Sequence, residues 1–428
     1  MVTTLAWALA PTWVMDRCAA HLGDTFTLTF APSGMQMVLV SDREAVKTLF
    51  TAPPEVAPSA TNSSPLASVV GPSSVLVLTG AEHMRQRKLL LPPFHGERMR
   101  EYEEVIVEAT RRDMAQWPLG HPMRLHPRTR RITLEVIVRA VFGVEAERME
   151  PLKEAIGRLM APMTTLAVLR ALMRRPSGER PGGELGEALG RLDALVYAEI
   201  AARRGQSDLA LRTDIMSLLL EARDEDGEAM SDAELRDELV TLLLAGHETT
   251  ATAVAWAVER LVRHPQKLRR LMAEIDAGGE DSGDEYMTAV VNETLRVRPV
   301  VPIVARMLTQ ELRVGSYELP AGTRVMPSIY LTNRSPAVYE DPREFRPERF
   351  LDGAAPETFS WIPFGGGIRR CIGAAFAQLE MKLILRTALS ELEPGLPART
   401  VWRRGEWVRR RAVTLAPAAG TRVVWQRR

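Results

Sequence analysis

Cys371 lies in the stretch of the chain whose residue types are best suited to chemistry. The stretch runs from Phe364 to Gly373 and reads Phe-Gly-Gly-Gly-Ile-Arg-Arg-Cys-Ile-Gly. A thiolate is a strong metal ligand and nucleophile, and hydrogen-bond donors around the sulfur tune it. The glycines let backbone N–H groups approach closely. An apolar helical pattern starts at Ala374, so Cys371 lies just before a helix N-terminus, whose positive end favours the thiolate.

Several roles are open to such a cysteine when the stretch is considered alone. A buried structural cysteine after a flexible loop needs no partner. A nucleophilic cysteine needs a histidine that the sequence cannot place. A zinc site is disfavoured, because the only other cysteine is Cys18 and no Cys/His spacing is typical of a metal cluster.

A second unusual stretch lies in the middle of a long predicted helix. Ser231 and Glu234 form a capping box, and no proline follows until Pro265, so one helix of about 32 residues, roughly 48 Å long, is predicted. Residues 245–250 in its middle read Ala-Gly-His-Glu-Thr-Thr. Glycine, glutamate and adjacent threonines are unfavourable inside an apolar helix. The pattern indicates either a tolerated irregularity with an exposed Glu-Thr pair or a functional site.

Two charged pairs have helical spacing. His83 and Arg87 lie at i and i+4, and Glu293 and Arg296 lie at i and i+3, so each pair shares a helix face. Such pairs are usually solvated or form surface ion pairs that contribute little to stability. Spacing alone therefore gives neither pair a role.

Composition sets broader limits. The 428 residues could form two or three average domains or one large one. Lys+Arg 55 against Asp+Glu 54 gives a net charge of +1, so no global field indicates a nucleic-acid partner, although arginines cluster in residues 403–411. Two distant cysteines favour a reducing compartment, and we expect a cytoplasmic protein. The apolar run Leu5 to Val14 is broken by Pro11 and is too short for a membrane span, and it lacks the basic start and small-residue cleavage site of a signal peptide.

The remaining elements are mostly helical, with strands near both ends. Residues 25–30 and 35–40 are predicted to form a hairpin, followed by a helix with a Ser41/Glu44 capping box. Short strands are predicted in 311–319 and 323–329, and a last hairpin in 411–417 with 421–425. The polar segment 174–183, rich in Pro, Gly and Arg, is predicted to be an exposed mobile connection.

The stretch around Cys371 resembles the Phe-Gly-x-Gly-x-Arg-x-Cys-x-Gly signature of the cytochrome P-450 family of haem-thiolate monooxygenases. All six fixed positions match, namely Phe364, Gly365, Gly367, Arg369, Cys371 and Gly373. Other family motifs follow in order: Ala-Gly-x-Glu-Thr at 245–249, Glu-x-x-Arg at 293–296 and Pro-Glu-Arg-Phe at 347–350. The chain looks like the soluble, bacterial type.

The resemblance implies a mostly α fold with a small β-sheet region and a long central helix that crosses the haem. We expect a single domain over 1–428, with a β-rich N-terminal part at about 20–60 and a helical body that carries the haem site. Residues 55–80 would cover the substrate, and segment 174–183 would be the lid of its entrance.

The resemblance also implies site roles. The cofactor would be haem b, iron protoporphyrin IX, with Cys371 as its axial ligand. Its other contacts would come from His83, Arg87, Arg306, Arg369, Phe364 and Gly365. Glu248 and Thr249 would deliver protons for dioxygen reduction. The substrate space would be walled by Ala245, Val300, Val301 and Ile303, and a structural triad would form from Glu293, Arg296 and Arg349.

The expected reaction inserts one atom of dioxygen into a hydrophobic small molecule, of the terpenoid, steroid, fatty-acid or secondary-metabolite class. Electrons would come from a separate ferredoxin and ferredoxin reductase, because the chain has no flavin or iron–sulfur motif. The docking face would be basic, with Arg85, Lys88 and Arg370. A monomer is expected. A peroxide-using peroxygenase and a non-catalytic haem sensor are the alternatives, and the Glu248-Thr249 pair disfavours both.

Overall fold

The computed structural model describes residues 2–59, 66–94, 96, 98–143, 146–163, 179–278, 284–351, 353, 356–398 and 405–428. Its α-helices are α1 (Val2–Leu9), α2 (Pro11–Leu22), α3 (Arg43–Thr51), α4 (Ala67–Val70), α5 (Gly80–Leu90), α6 (Arg98–Met114), α7 (His126–Phe142), α8 (Ala146–Met163), α9 (Gly183–Arg204), α10 (Ile215–Glu221), α11 (Asp232–Arg263), α12 (Pro265–Ala277), α13 (Glu285–Val297), α14 (Ile329–Thr332) and α15 (Ala374–Glu391). Its strands are β1 (Thr25–Phe30), β2 (Met35–Val40), β3 (Pro122–Arg124), β4 (Arg306–Met307), β5 (Leu312–Val314), β6 (Tyr317–Leu319), β7 (Arg324–Pro327), β8 (Leu392–Gly395), β9 (Val408–Arg411), β10 (Thr414–Pro417) and β11 (Arg422–Arg427).

The chain divides into two compact units. The first holds residues 1–58, 110–130 and 249–428, and the second holds 59–109 and 131–248. All of the strands named above belong to the first unit, and the described part of the second unit is built from helices. The mostly α fold with small sheets is confirmed, whereas the expectation of a single domain stays a prediction.

The largest sheet has the strand order β1-β2-β7-β4. The predicted hairpin is confirmed, with Thr25 opposite Val40 and Phe30 opposite Met35. Alternate β1 residues are buried, because one face of the hairpin packs on the core beside α1 and α2. Strand β7 joins β2 in parallel, which brings β4 into the sheet.

The predicted Ser41/Glu44 capping box is wrong. Asp42 is the N-cap of α3, and its Oδ1 accepts a hydrogen bond from the Ala45 N–H at 2.9 Å. The Ser41 hydroxyl donates instead to the carbonyl oxygen of Asp24 at 3.2 Å, where it ties the end of the hairpin. An aspartate one residue nearer the helix is the better placed cap.

Two strand predictions also need correction. Segment 311–319 is a hairpin of β5 and β6 rather than one strand, because Gly315 turns the chain with a φ of 60°. The last hairpin pairs β10 with β9 and not with β11. Strand β11 pairs with β8 and β3, which are distant in sequence, so local patterns could not reveal these partners.

The central helix α11 has the predicted bounds. Its capping box is formed, because the Ser231 N–H donates to Glu234 Oε2 at 2.8 Å and the Glu234 N–H donates back to Ser231 Oγ at 3.3 Å. The helix ends at Arg263, two residues before Pro265. Its 32 residues span roughly 48 Å at 1.5 Å per residue.

Most of the predicted lid lies outside the described residues, which resume at 179 within segment 174–183. Among the helices that the structure describes, none is long and apolar enough to cross a membrane.

Candidate active site

The loop before α15 is packed against Phe50 by glycines. Gly365 and Gly367 have φ values of 71° and 64°, in the left-handed region that glycine adopts freely. A Cβ on Gly367 would lie 1.9 Å from the carbonyl oxygen of Phe50, and a Cβ on Gly366 would lie 2.4 Å from its ring. Glycine is therefore required for this close approach to α3. Sequence reasoning gave Phe50 no role, because nothing in its local pattern marks it.

Cys371 lies at the end of this loop. Its backbone N–H donates a hydrogen bond to the carbonyl oxygen of Phe364 at 2.9 Å, and α15 begins three residues later, after the N-cap Gly373. The thiol is exposed next to the positive end of the helix, which favours the thiolate. Cys18 is half-buried in α2, and burial raises the pKa of its thiol. Cys371 is therefore the better placed metal ligand.

Aromatic contacts fix the start of the loop. The Phe364 ring packs edge-on against Trp361, with ring centroids 6.2 Å apart. Trp361 Nε1 donates to the carbonyl oxygen of Asn292 on α13 at 3.2 Å. Arg369 ends the short 3-10 turn Gly367–Arg369 and is half-buried. The loop is thus held from α3 on one side and from α13 on the other.

Arg306, at the start of β4, is a buried cation. It is 6% exposed, its guanidinium lies over the Phe50 ring at 5.6 Å, and its Nη1 donates to the carbonyl oxygen of Ala305 at 3.0 Å. Burial lowers the pKa of Arg306 to about 10. Within the part of the chain that the structure describes, no carboxylate pairs with it. An unpaired buried charge is costly, so this position suits an anionic group of a ligand.

Helix α5 of the second unit carries His83 and Arg87 one turn apart, as their spacing predicts. His83 is buried at 1% exposure and Arg87 is half-buried. The backbone N–H of His83 bonds to the carbonyl oxygen of Thr79 at the start of the helix. Their role as anion ligands stays a prediction.

In the second unit, the middle of α11 is closely packed on one side and accessible on the other. A Cβ on Gly246 would lie 2.9 Å from Ile137 Cδ1 of α7, and the Thr133 hydroxyl donates to the carbonyl oxygen of His247 at 2.8 Å. Glu248 is buried. Ala245 is exposed, although residues 235–241 and 251–262 of the same helix are buried. The helix therefore borders accessible space at the predicted substrate position.

In the first unit, Thr249 is half-buried and precedes Thr250, which hydrogen bonds to Glu380 of α15. Glu380 is 1% exposed, and burial raises the pKa of its carboxyl to about 8. Its Oε1 has no hydrogen-bond partner among the described residues. Burial therefore favours the protonated form of the Glu380 carboxyl. Sequence reasoning missed it, although an acid inside the apolar pattern of α15 could have indicated it.

Three residues of the predicted substrate wall lie in the first unit, and their role stays a prediction. Val300 is buried, and its carbonyl oxygen accepts a hydrogen bond from the Leu415 N–H of β10 at 2.8 Å. Val301 is half-buried beside it. Ile303 packs against the hydrophobic cluster that contains Trp7 and Met15. Ile303 is therefore less well placed as a wall residue than the two valines.

The predicted triad comes together in the first unit. Arg296 donates from Nε and Nη2 to both carboxylate oxygens of Glu293, at 2.6 and 2.8 Å, and both side chains have 0% exposure. Arg349 Nε lies 3.6 Å from Glu293 Oε1. Arg296 also donates to the carbonyl oxygens of Pro342 and Glu344 at 2.8 and 2.9 Å. This buried cluster holds the segment before the cysteine loop on α13.

Of the three predicted docking residues, two form ion pairs and the third is exposed beside the cysteine. Arg85 pairs with Asp224 at 2.5 Å and with Glu234 at 2.6 Å. Lys88 pairs with Glu225 at 2.7 Å. Arg370 is exposed next to Cys371. Arg85 is engaged inside its own unit, so Arg370 is the better candidate for a docking cation.

Comparison with protein families gives a match to the family described as Cytochrome P450, over residues 7–417. Cytochrome P450 137 of Mycobacterium tuberculosis strain H37Rv is 42% identical over 411 residues, which cover 96% of this chain and 84% of that protein. Cytochrome P450 135B1 of Mycobacterium bovis is 41% identical over 414 residues, which cover 96% of this chain and 86% of that protein.

Solved structures give the same fold. A retinoic acid-bound cyanobacterial CYP120A1 has a TM-score of 0.83 and 25% identity, with 99% of this chain and 96% of that chain covered. The haem domain of cytochrome P450DA has a TM-score of 0.85 and 24% identity, with 99% and 95% covered. The arrangement of helices and sheets described above is therefore a known one.

Proposed function

The chain belongs to the cytochrome P450 family of haem-thiolate monooxygenases, and we propose that it oxidises a hydrophobic small molecule at a haem held by Cys371. The substrate would belong to the terpenoid, steroid, fatty-acid or secondary-metabolite class. The observation that carries the proposal is the glycine-packed loop that presents Cys371 before α15.

The residues of the first unit fit the haem. Cys371 supplies a thiolate at a helix N-terminus, and Arg306 is a buried guanidinium without a described carboxylate partner, which suits a propionate. Phe50 contacts both the cysteine loop and Arg306. When bound, a thiolate-ligated haem supplies the electron density that favours O–O cleavage.

Further haem contacts follow from the sequence motifs. Arg369, His83 and Arg87 would bind propionate oxygens, and Phe364 would shield the sulfur from water. Gly365 would let the backbone pass close to the sulfur. These roles extend the assignment of Cys371 and can be tested separately from it.

Proton supply is the proposed role of Thr249 and Glu248. Dioxygen reduction to water consumes protons, and a hydroxyl in the middle of α11 can donate to the oxygen while Glu248 relays protons to it. Thr250, which follows this pair in the chain, hydrogen bonds to the buried carboxyl of Glu380. The pair also argues against a peroxide-using enzyme, which needs no such supply, and against a haem sensor.

The substrate is proposed to be apolar and positioned mainly by shape. Ala245, Val300 and Val301 offer small and branched side chains with no polar group. The cyanobacterial relative bound to retinoic acid, an apolar chain with one carboxylate, supports this class. Electrons would come from a ferredoxin and its reductase. We propose a cytoplasmic location, because two free cysteines fit a reducing compartment. A monomer is proposed as well.

A ligand panel tests the proposal. Purified, haem-loaded protein is titrated with terpenoids, steroids and fatty acids while its visible spectrum is followed for a spin-state shift. Ligands that shift the spectrum are then incubated with ferredoxin, reductase and NADPH, and an oxygenated product is expected. A protein that binds haem but gives neither a shift nor a product with any class would contradict the substrate proposal.

A further inference from the structure

Helix α1 presents an apolar face to solvent. Leu5 and Leu9, one turn apart, are 63% and 70% exposed, whereas Trp7 on the opposite side is buried against Phe30. The helix contains no charged residue. Because these leucine side chains are not buried within the protein, the face is suited to an apolar partner.

The exposed apolar surface continues onto α2. Trp13 is 55% exposed, and the guanidinium of Arg17 lies over its ring at 5.9 Å. Asp16, the only acid in the first 22 residues, is engaged by the Tyr330 hydroxyl at 3.1 Å. A tryptophan beside an arginine at the edge of an apolar helix is typical of a water–lipid boundary.

The hairpin β9–β10 packs against α1 and carries two more exposed apolar residues. Trp407, just before β9, is 67% exposed, and Val413 at the turn is 49% exposed. Side chains alternate along a strand, so Trp407 and Arg409 lie on the same face of the hairpin. We name Leu5, Leu9, Trp13, Trp407 and Val413 the apolar patch.

Arginines accompany the apolar patch. Arg409 and Arg410 are exposed on β9, and neither makes an ion pair within the described residues. The one acid in residues 405–428, Glu406, is buried. The patch therefore combines exposed leucine and tryptophan with positive charge, although the whole chain has a net charge of only +1.

We propose that the apolar patch and its arginines dock on the surface of an anionic lipid bilayer. Apolar side chains would enter the headgroup region, and Arg409 and Arg410 would attract anionic headgroups. Helix α1 has eight residues, about 12 Å, so it would lie on the bilayer rather than span it. On the basis of the proposed function, such docking gives the enzyme access to an apolar substrate dissolved in lipid.

Vesicle sedimentation tests the docking. The full chain, loaded with haem, is mixed with vesicles of phosphatidylcholine alone or with phosphatidylglycerol added. We expect binding to the anionic vesicles that weakens at high salt. Leu5→Glu with Leu9→Glu should lower the binding constant at least about tenfold, since each buried leucine is worth more than a factor of ten. Arg409→Glu with Arg410→Glu should abolish the preference for anionic lipid.

Leu211→Glu is the matched control, because Leu211 is 84% exposed but lies in the second unit, away from the residues of the apolar patch in sequence. This variant should bind the vesicles like wild type. The changed side chains are exposed, so circular dichroism and the haem spectrum should stay unchanged. Wild-type protein that does not bind anionic vesicles would overturn the proposal, as would equal binding by Leu5→Glu/Leu9→Glu. A dimer in sedimentation velocity that Leu5→Glu/Leu9→Glu dissociates would assign the patch to a second copy instead. None of these outcomes depends on substrate oxidation, so failure here is distinguishable from failure of the proposed function.

Discussion

Thr249 is the residue on which efficient use of reductant is expected to depend. Thr249→Ala should leave haem and substrate binding intact, because α11 already holds Ala245 and Ala251. Without the hydroxyl, the proton supply from Thr249 would be lost, and more of the dioxygen consumed would be released as hydrogen peroxide instead of water. General acid assistance is worth roughly 10² to 10⁴ in rate, which is enough to reverse that partition. The measurement compares product formed with NADPH consumed.

Thr250→Ala is the matched comparison for this test. Thr250 is buried, and its side chain hydrogen bonds to Glu380. Thr250→Ala should therefore lower the ratio of product formed to NADPH consumed less than Thr249→Ala does. Wild-type coupling in Thr249→Ala, together with uncoupling in Thr250→Ala, would move the role to Thr250.

Glu380 should make stability depend on pH. Burial raises the pKa of its carboxyl from 4.5 to about 8, so the folded state holds this proton more tightly than the unfolded state. The stabilisation is fully present below pH 4.5 and is lost as the pH rises toward 8. Glu380→Gln removes the titration. Urea unfolding should show the variant gaining stability relative to wild type at the higher pH, and an equal difference at both pH values would refute the buried, protonated carboxyl.

At the scale of elements, the Glu293–Arg296 pair fastens α13 to the segment before the cysteine loop. Arg296→Ala leaves a fully buried carboxylate with its bidentate partner gone. The free energy of unfolding should fall by about 3–5 kcal/mol. Arg158→Ala removes an exposed pair with Glu154 and should change it by less than about 0.5 kcal/mol. Equal losses in the two variants would mean that the buried pair is not a structural anchor.

Sequence patterns sufficed where an element is specified locally. The capping box at Ser231 and the proline at 265 set the bounds of α11. The spacing of Glu293 and Arg296 placed them on one helix face, whereas their buried pairing was implied by the family resemblance. The partners of β11 could not be predicted, because β8 and β3 are distant from it in the sequence. Phe50 was missed for the same reason, since its role arises from contacts with the cysteine loop. Glu380 was overlooked, although it is an acid inside the apolar pattern of α15.

At the scale of the whole molecule, electron delivery should depend on charge. Arg370 is exposed beside Cys371, so an acidic ferredoxin would be steered to it, and haem reduction should slow as salt rises. Arg370→Glu should slow reduction by about tenfold at low salt and little at high salt. The control Arg313→Glu changes an arginine whose side chain is 74% exposed on β5, and it should leave the rate of haem reduction unchanged. A rate that responds to neither salt nor Arg370→Glu would place the docking face elsewhere.

The reduced, carbon monoxide-bound visible spectrum of wild type and of Cys371→Ser tests the central assignment most directly. Wild type should show the strongly red-shifted Soret band of thiolate ligation, because Cys371 is the exposed thiol at the start of α15. Cys371→Ser should lose that band while circular dichroism still reports a helical protein. A red-shifted band that persists in Cys371→Ser would contradict the assignment of Cys371 as the haem ligand.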